Sequence, residues 1–127
     1  MTSVLVVDDS RITRMMMRSL VKQIRPQAEV VEAGCADDAL SALNDDVEFA
    51  IVDYNMPGQN GLELARELQK QLPEGHIVLC TANSQKVIQN RAREMGVHFI
   101  AKPITPEKVQ AAFSQMEAAA RRGDPHE

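Results

Sequence analysis

The chain has 127 residues, enough for one folded domain and too few for a second module. Its 44% apolar and 25% charged content is ordinary for a globular protein, and a net charge of -4 argues against a nucleic-acid binder, which carries a basic excess. No apolar run nears the ~18 residues of a membrane span, and three Phe, one Tyr and no Trp leave little for base stacking.

The first strand pattern is Ser3–Val7, and no signal peptide is expected before it. It runs straight into Asp8-Asp9-Ser10. Helical spacing follows, with Ile12, Met16 and Leu20 predicted to share the core face. A second strand is predicted at Ala28–Glu32, then a helix marked by Ala39, Leu40 and Leu43. The third strand, Phe49–Val52, ends at Asp53 and breaks into Tyr54-Asn55-Met56-Pro57-Gly58. Leu62, Ala65, Leu68 and Leu72 mark the third helix, capped by Asn60 and ended by Pro73 and Gly75. Ile77–Cys80 leads into Thr81, and a fourth helix carries Val87, Ile88, Ala92 and Met95, with Ser84 as its cap and Gly96 at its end. His98–Ala101 leads into Lys102. Thr105-Pro106 opens a last helix carrying Val109, Phe113 and Met116. The domain is expected to occupy residues 1–121, with 122–127 as a fraying tail.

Five strand–helix units in a row imply an α/β fold, a doubly wound parallel sheet with helices on both faces. Such sheets bind ligands outside the carboxyl ends of their strands. Asp8, Asp9, Asp53, Thr81 and Lys102 all stand at strand ends, so one crevice should gather them. Carboxylates held close raise one another's pKa, and a positive partner is expected among them. Three carboxylates form a hard-oxygen site suited to Mg²⁺. A carboxylate beside such a cation can attack phosphorus and form an acyl phosphate, with Lys102 and the Thr81 hydroxyl stabilising phosphoryl oxygens. Nucleotide binding fits poorly, because the turn after the first strand, Asp8-Asp9-Ser10-Arg11, has no Gly, and no P-loop, GxGxxG or GxSxG is present.

Cys35 and Cys80 show no CxxC pattern and no metal-spaced His, so both are read as reduced thiols of a cytoplasmic protein. His76, His98 and His126 lack ligand spacing. Met15-Met16-Met17 point in three directions on a helix and cannot line one pocket.

Val7-Asp8-Asp9-Ser10, the run from Asp53 to Gly58 with Gly61, Thr81-Ala82 and Lys102-Pro103 together resemble the receiver domain of two-component response regulators, across essentially the whole chain. The resemblance is to single-domain, CheY-like members. It implies a flavodoxin-like (βα)5 fold with strand order 2-1-3-4-5. It implies Asp53 as the phosphoacceptor, Asp9 as a direct Mg²⁺ (or Mn²⁺) ligand, Asp8 holding a water of the metal, and Asn55 offering its backbone carbonyl. Thr81 and Lys102 would grip the phosphoryl oxygens, and Lys102-Pro103 would be cis. Thr81 and Phe99 would form the conformational switch, and Asn55 and Asn83 would tune phosphoryl lifetime. Many relatives carry Tyr where Phe99 stands, so a hydroxyl output bond is lost here.

The implied partners are a histidine kinase or histidine phosphotransfer protein and an unknown downstream protein, with no nucleic acid or membrane. The implied role is a phosphoacceptor signalling protein rather than an enzyme, with self-catalysed phosphotransfer and autodephosphorylation. On the first helix, Arg11, Arg14, Arg18, Lys22 and Arg25 recur at spacings of 3, 4, 4 and 3, forming one stripe with Met15 on it. In receivers this helix meets the phosphodonor, so Arg11, Arg14, Met15 and Arg18 are candidate docking residues. Two other classes remain: a Mg²⁺-dependent phosphohydrolase with an aspartyl-phosphate intermediate, and an unphosphorylated receiver-like interaction module. The hydrolase typically carries an Asp two residues after its nucleophile, where this chain has Asn55.

Overall fold

The computed structural model describes residues 2–82 and 86–122. Its elements alternate strictly: β1 (Ser3–Val7), α1 (Arg11–Ile24), β2 (Glu29–Ala33), α2 (Ala36–Ala42), β3 (Val47–Asp53), α3 (Gly61–Leu68), β4 (Ile77–Thr81), α4 (Lys86–Glu94), β5 (His98–Ala101) and α5 (Pro106–Arg122). The strands form one parallel sheet in the order β2-β1-β3-β4-β5. This is the flavodoxin-like, CheY-like arrangement that the motif set implies. Parallel strands covered on both faces need apolar side chains throughout, and β1 and β4 are buried at every position.

Alternate residues of each strand feed two cores. Leu5, Val7, Val52 and Leu79 pack with Ala39, Leu64, Leu68 and Ile88 under α2, α3 and α4. Val4, Val6, Ile51 and Val78 pack with Met17, Val21, Phe113 and Met116 under α1 and α5. Phe113 meets Phe49 edge to face at 6.1 Å, and the Arg25 guanidinium lies over the Phe113 ring.

The caps follow local chemistry. Asn60 forms a full capping box with Glu63 at the start of α3. Ser10 caps α1, its hydroxyl accepting from the Thr13 N–H. The Cys35 sulfur takes the cap position of α2. Gly96 adopts positive φ just after α4 ends, whereas α3 ends at Leu68, short of the expected stop at Pro73 and Gly75, so Leu72 lies beyond it and Gly75 takes its positive φ in the turn before β4. Ser84, expected to cap α4, lies outside the described residues, as does the tail beyond Arg122.

β3 begins at Val47, two residues before the predicted Phe49, and two further expectations need correction. The second strand is Glu29–Ala33, one residue later than predicted, because Ala33 pairs with Val7 and its carbonyl receives the Asp8 N–H. The core face of α1 is also different. Met17 and Val21 are buried and flanked by Leu20 and Ile24, whereas Ile12 is 79% and Met16 49% exposed. Two apolar series run along this helix, offset by one residue. Roll about the axis is fixed by the polar side: Arg14 and Arg18 reach Glu32 on β2, Lys22 reaches the Ala28 carbonyl, and Arg25 reaches Glu117 on α5. That roll turns Met17 and Val21 inward.

Candidate functional site

At the carboxyl end of the sheet, β1 and β3 are neighbours, and their last apolar residues pair as Val7 and Val52. The next residues, Asp8 and Asp53, are therefore delivered side by side, and both are buried. Asp9, one step further, is exposed. One ligand oxygen from each of Asp8, Asp9 and Asp53 falls within 4.8 Å of the others.

Lys102 enters from the loop after β5. Its backbone N–H donates to the Thr81 carbonyl at 2.9 Å, and the peptide bond to Pro103 is cis. The ammonium donates to Asp53 Oδ1 at 3.0 Å and lies 3.9 Å from Asp8 Oδ2. Asp8 Oδ1 accepts the Ser10 N–H at 2.8 Å.

Burial pushes the Asp8 carboxyl above its ordinary range; the Ser10 N–H and Lys102 oppose this, and the charges of Asp53 and Asp9 reinforce it. Burial pulls the Lys102 ammonium down, but the Asp53 hydrogen bond and the charges of Asp53 and Asp8 outweigh it and leave its pKa raised. Cys80, enclosed in the sheet beneath, has its thiol pushed up to about 12 by burial. It is a core residue without nucleophilic character at neutral pH.

One ammonium faces three carboxylates, so an excess of negative charge remains. A hard divalent cation with oxygen ligands matches both the donor set and that excess. The residues present therefore fit such an ion.

The remaining sequence-predicted positions divide. Thr81, the last residue of β4, is buried. Phe99 pairs with Leu79, and Ala101 with Thr81, so the Phe99 and Thr81 side chains share one face of the sheet. Phe99 is half-buried against the α2–α4 core. Asn55 is exposed in the loop after Asp53, and Asn83 lies outside the described residues.

The docking candidates separate as well. Arg11 and Met15 are exposed. The Arg18 side chain is 51% exposed although it donates to Glu32 at 2.7 Å. Arg14, by contrast, is only 17% exposed, and its guanidinium bonds Glu32 and the Asp8 carbonyl. It is not available as a free docking cation. Sequence reasoning missed this link because Glu32 lies 18 positions away, on β2 rather than on the helix of Arg14. It also missed Lys108, whose ammonium donates to the Ala101 and Pro103 carbonyls on either side of Lys102.

Known proteins share this architecture. The chain is 36% identical over 119 residues to the cyclic di-GMP phosphodiesterase response regulator RpfG of Xanthomonas campestris pv. campestris (strain 8004), covering 90% of this chain and 31% of that protein. It thus spans under a third of RpfG. It is 34% identical over 108 residues to a chemotaxis protein CheY homolog of Campylobacter jejuni (strain 81-176), covering 81% and 82% of the two chains. Among solved structures, the chemotaxis protein CheY4 of Vibrio cholerae superposes with a TM-score of 0.77 at 25% identity, covering 91% of this chain and 98% of that one. The family profile described as the response regulator receiver domain matches residues 4–114, and with the acidic crevice in its expected place the chain belongs to that family of two-component signalling proteins.

Proposed function

We propose that Asp53 accepts a phosphoryl group from the phosphohistidine of a histidine kinase or phosphotransfer protein, and that the resulting acyl phosphate drives a conformational signal. One observation carries the reading: a buried carboxylate, Asp53, lies 3.0 Å from the Lys102 ammonium inside a cluster of three acidic ligand atoms within 4.8 Å. Receiver domains take phosphoryl groups from histidine kinases, and the donor of this chain is read as one of that class.

A carboxylate oxygen of Asp53 forms the new O–P bond as the donor's P–N bond breaks, and the electron pair returns to the imidazole nitrogen. Lys102 holds Asp53 before transfer and moves its hydrogen bond to a phosphoryl oxygen afterwards. The Thr81 hydroxyl offers a second donor. Asp8, Asp9, Asp53 and the Asn55 carbonyl are the residues that would hold Mg²⁺ (or Mn²⁺). When bound there, the ion neutralises the carboxylates and the incoming phosphoryl charge.

The phosphoryl group carries roughly -1.5 to -2 charge. Movement of Thr81 towards it opens space on the sheet face that Phe99 shares, and inward rotation of Phe99 fills it. Moving such an equilibrium from 1:99 to 99:1 takes about 5.5 kcal/mol of differential stabilisation. Charge-assisted contacts from Lys102 and Thr81 are of the kind that supply it. Asn55, exposed beside Asp53, acts on the access of water to the acyl phosphate, and Asn83 is assigned the same role from its position in sequence. Asn55 cannot take up and release a proton, which disfavours the hydrolase reading.

On α1, Arg11, Met15 and Arg18, with the exposed Ile12 and Met16, form the surface that receives the phosphodonor in the cytoplasm. An unidentified protein reads the switched state. Incubation with Mg²⁺ and acetyl phosphate, followed by intact mass measurement, tests the central step. The expected result is one added phosphoryl group in the wild type and none in Asp53→Asn. An unchanged adduct in Asp53→Asn would sink the assignment.

A further inference from the structure

We propose that Arg14 is a positioning residue for the acidic cluster: its guanidinium fixes the Asp8–Asp9 peptide and thereby aims the Asp9 carboxylate at a divalent cation. The inference rests on reading Asp8, Asp9 and Asp53 as a cation site.

The Asp8 backbone is held from both ends. Its N–H donates to the Ala33 carbonyl at 3.1 Å, and its carbonyl accepts from Arg14 Nη1 at 2.6 Å. That carbonyl belongs to the peptide unit leading into Asp9, so its direction fixes the N–Cα bond from which the Asp9 side chain departs. The Asp8 carboxylate has anchors of its own in the Ser10 N–H and Lys102. Among the described residues no hydrogen bond or ion pair holds the Asp9 carboxylate, which is exposed. Its aim depends on the peptide plane, and Arg14 holds that plane.

Arg14 is itself held. Its Nε donates to Glu32 Oε1 at 3.1 Å, and the other Glu32 oxygen accepts from Arg18 at 2.7 Å. A Cβ at Gly34 would lie 3.2 Å from Arg14 Nη1, so the bare backbone there leaves room for the guanidinium. A guanidinium is a rigid fork that can serve a carboxylate and a carbonyl at once in fixed directions, whereas an ammonium on a flexible stem holds its partners less rigidly. Outer contacts of this kind affect metal affinity by orienting the ligands.

Charge and geometry predict opposite signs. Loss of a nearby cation, acting through the field alone, leaves the cluster more negative and tightens Mg²⁺ binding. Loss of a positioning contact weakens it. Mg²⁺ titration of the full chain without any phosphodonor, followed by emission of Tyr54, the chain's one Tyr in the absence of Trp, separates the two. Wild type binds, and Asp9→Asn does not. Arg14→Met should raise the Kd about tenfold or more, with Arg14→Lys between the two. Arg14→Gln, a neutral polar replacement, carries the same opposed signs, should shift the Kd in the same direction, and serves if Arg14→Met fails to fold. Arg25→Met, which breaks the remote ion pair to Glu117, should leave the Kd unchanged and controls for lost stability. Unchanged or tighter binding in Arg14→Met or Arg14→Gln overturns the positioning role alone. No Mg²⁺ binding by the wild type overturns the cation-site reading and this inference with it.

Discussion

Asp8 shows at the scale of one residue how the site opposes the fold. Its ionised form is disfavoured by burial and by the neighbouring Asp53 and Asp9 charges. A carboxyl whose pKa is raised on folding binds its proton more tightly in the native state than in the unfolded chain. Its ionisation therefore costs stability as pH rises through the folded pKa, and that cost is relieved on acidification. Asp8→Asn keeps an oxygen for the Ser10 N–H and removes the charge. With divalent ions chelated at pH 7, we expect its melting temperature to exceed that of wild type. Added Mg²⁺ should raise the wild-type value and leave the variant unmoved. A lower melting temperature for Asp8→Asn under chelation contradicts this account. Asp8, Asp9, Asp53, Thr81 and Lys102 were legible in the sequence because each follows an apolar strand, and parallel topology brings strand ends together. Arg14 was not, because its bonds to Glu32 and the Asp8 carbonyl depend on how α1 rolls against β2.

At the scale of elements, the β3–α3 connection shows how tightly backbone geometry holds Asp53. Gly61 donates its N–H to the Tyr54 carbonyl at 2.9 Å, and the Tyr54 N–H donates to the Cys80 carbonyl at 2.8 Å. A Cβ on Gly61 would stand 2.5 Å from the Asp53 carbonyl oxygen and 2.7 Å from the Tyr54 Cα. Backbone cannot yield as a flexible side chain does. Gly61→Ala should cost about 1–3 kcal/mol, the usual range for overpacking, and should slow labelling by acetyl phosphate because the displaced backbone is that of Asp53. Urea unfolding and the rate of mass increase measure the two effects. A variant as stable and as reactive as wild type refutes the constraint. The α1 face teaches the complementary lesson. Ile12, Met16 and Leu20 formed as regular an apolar series as Met17 and Val21, and only the tertiary pairs on Glu32, Ala28 and Glu117 decide which turns inward. Periodicity located the helix but could not orient it.

Across the whole molecule, the same sheet gathers the acidic crevice at one end and leaves α1 with an exposed surface beside it. Ile12 and Met15 are 79% and 57% exposed, on a helix whose cap, Ser10, directly follows the acidic pair. Apolar and basic groups so placed suit a protein phosphodonor, and basic charge acts chiefly on encounter rate. Arg11→Glu with Arg18→Glu should slow transfer from a phosphohistidine donor roughly tenfold or more at low salt, while labelling by acetyl phosphate stays at the wild-type rate. Equal slowing with both donors removes the docking role. The overall architecture was legible because strict strand–helix alternation admits few arrangements. The strand order rested on the motif resemblance, since alternation alone does not number the neighbours. The central claim is that Asp53, and no other residue, becomes an acyl phosphate. Borohydride cleaves an acyl phosphate and reduces the carboxyl carbon to an alcohol, which turns a phosphorylated Asp into homoserine. Peptide mapping after exposure to a phosphodonor, Mg²⁺ and borohydride should find homoserine at position 53. Homoserine at another aspartate, or unmodified Asp53 in a chain that has gained a phosphoryl group, contradicts it.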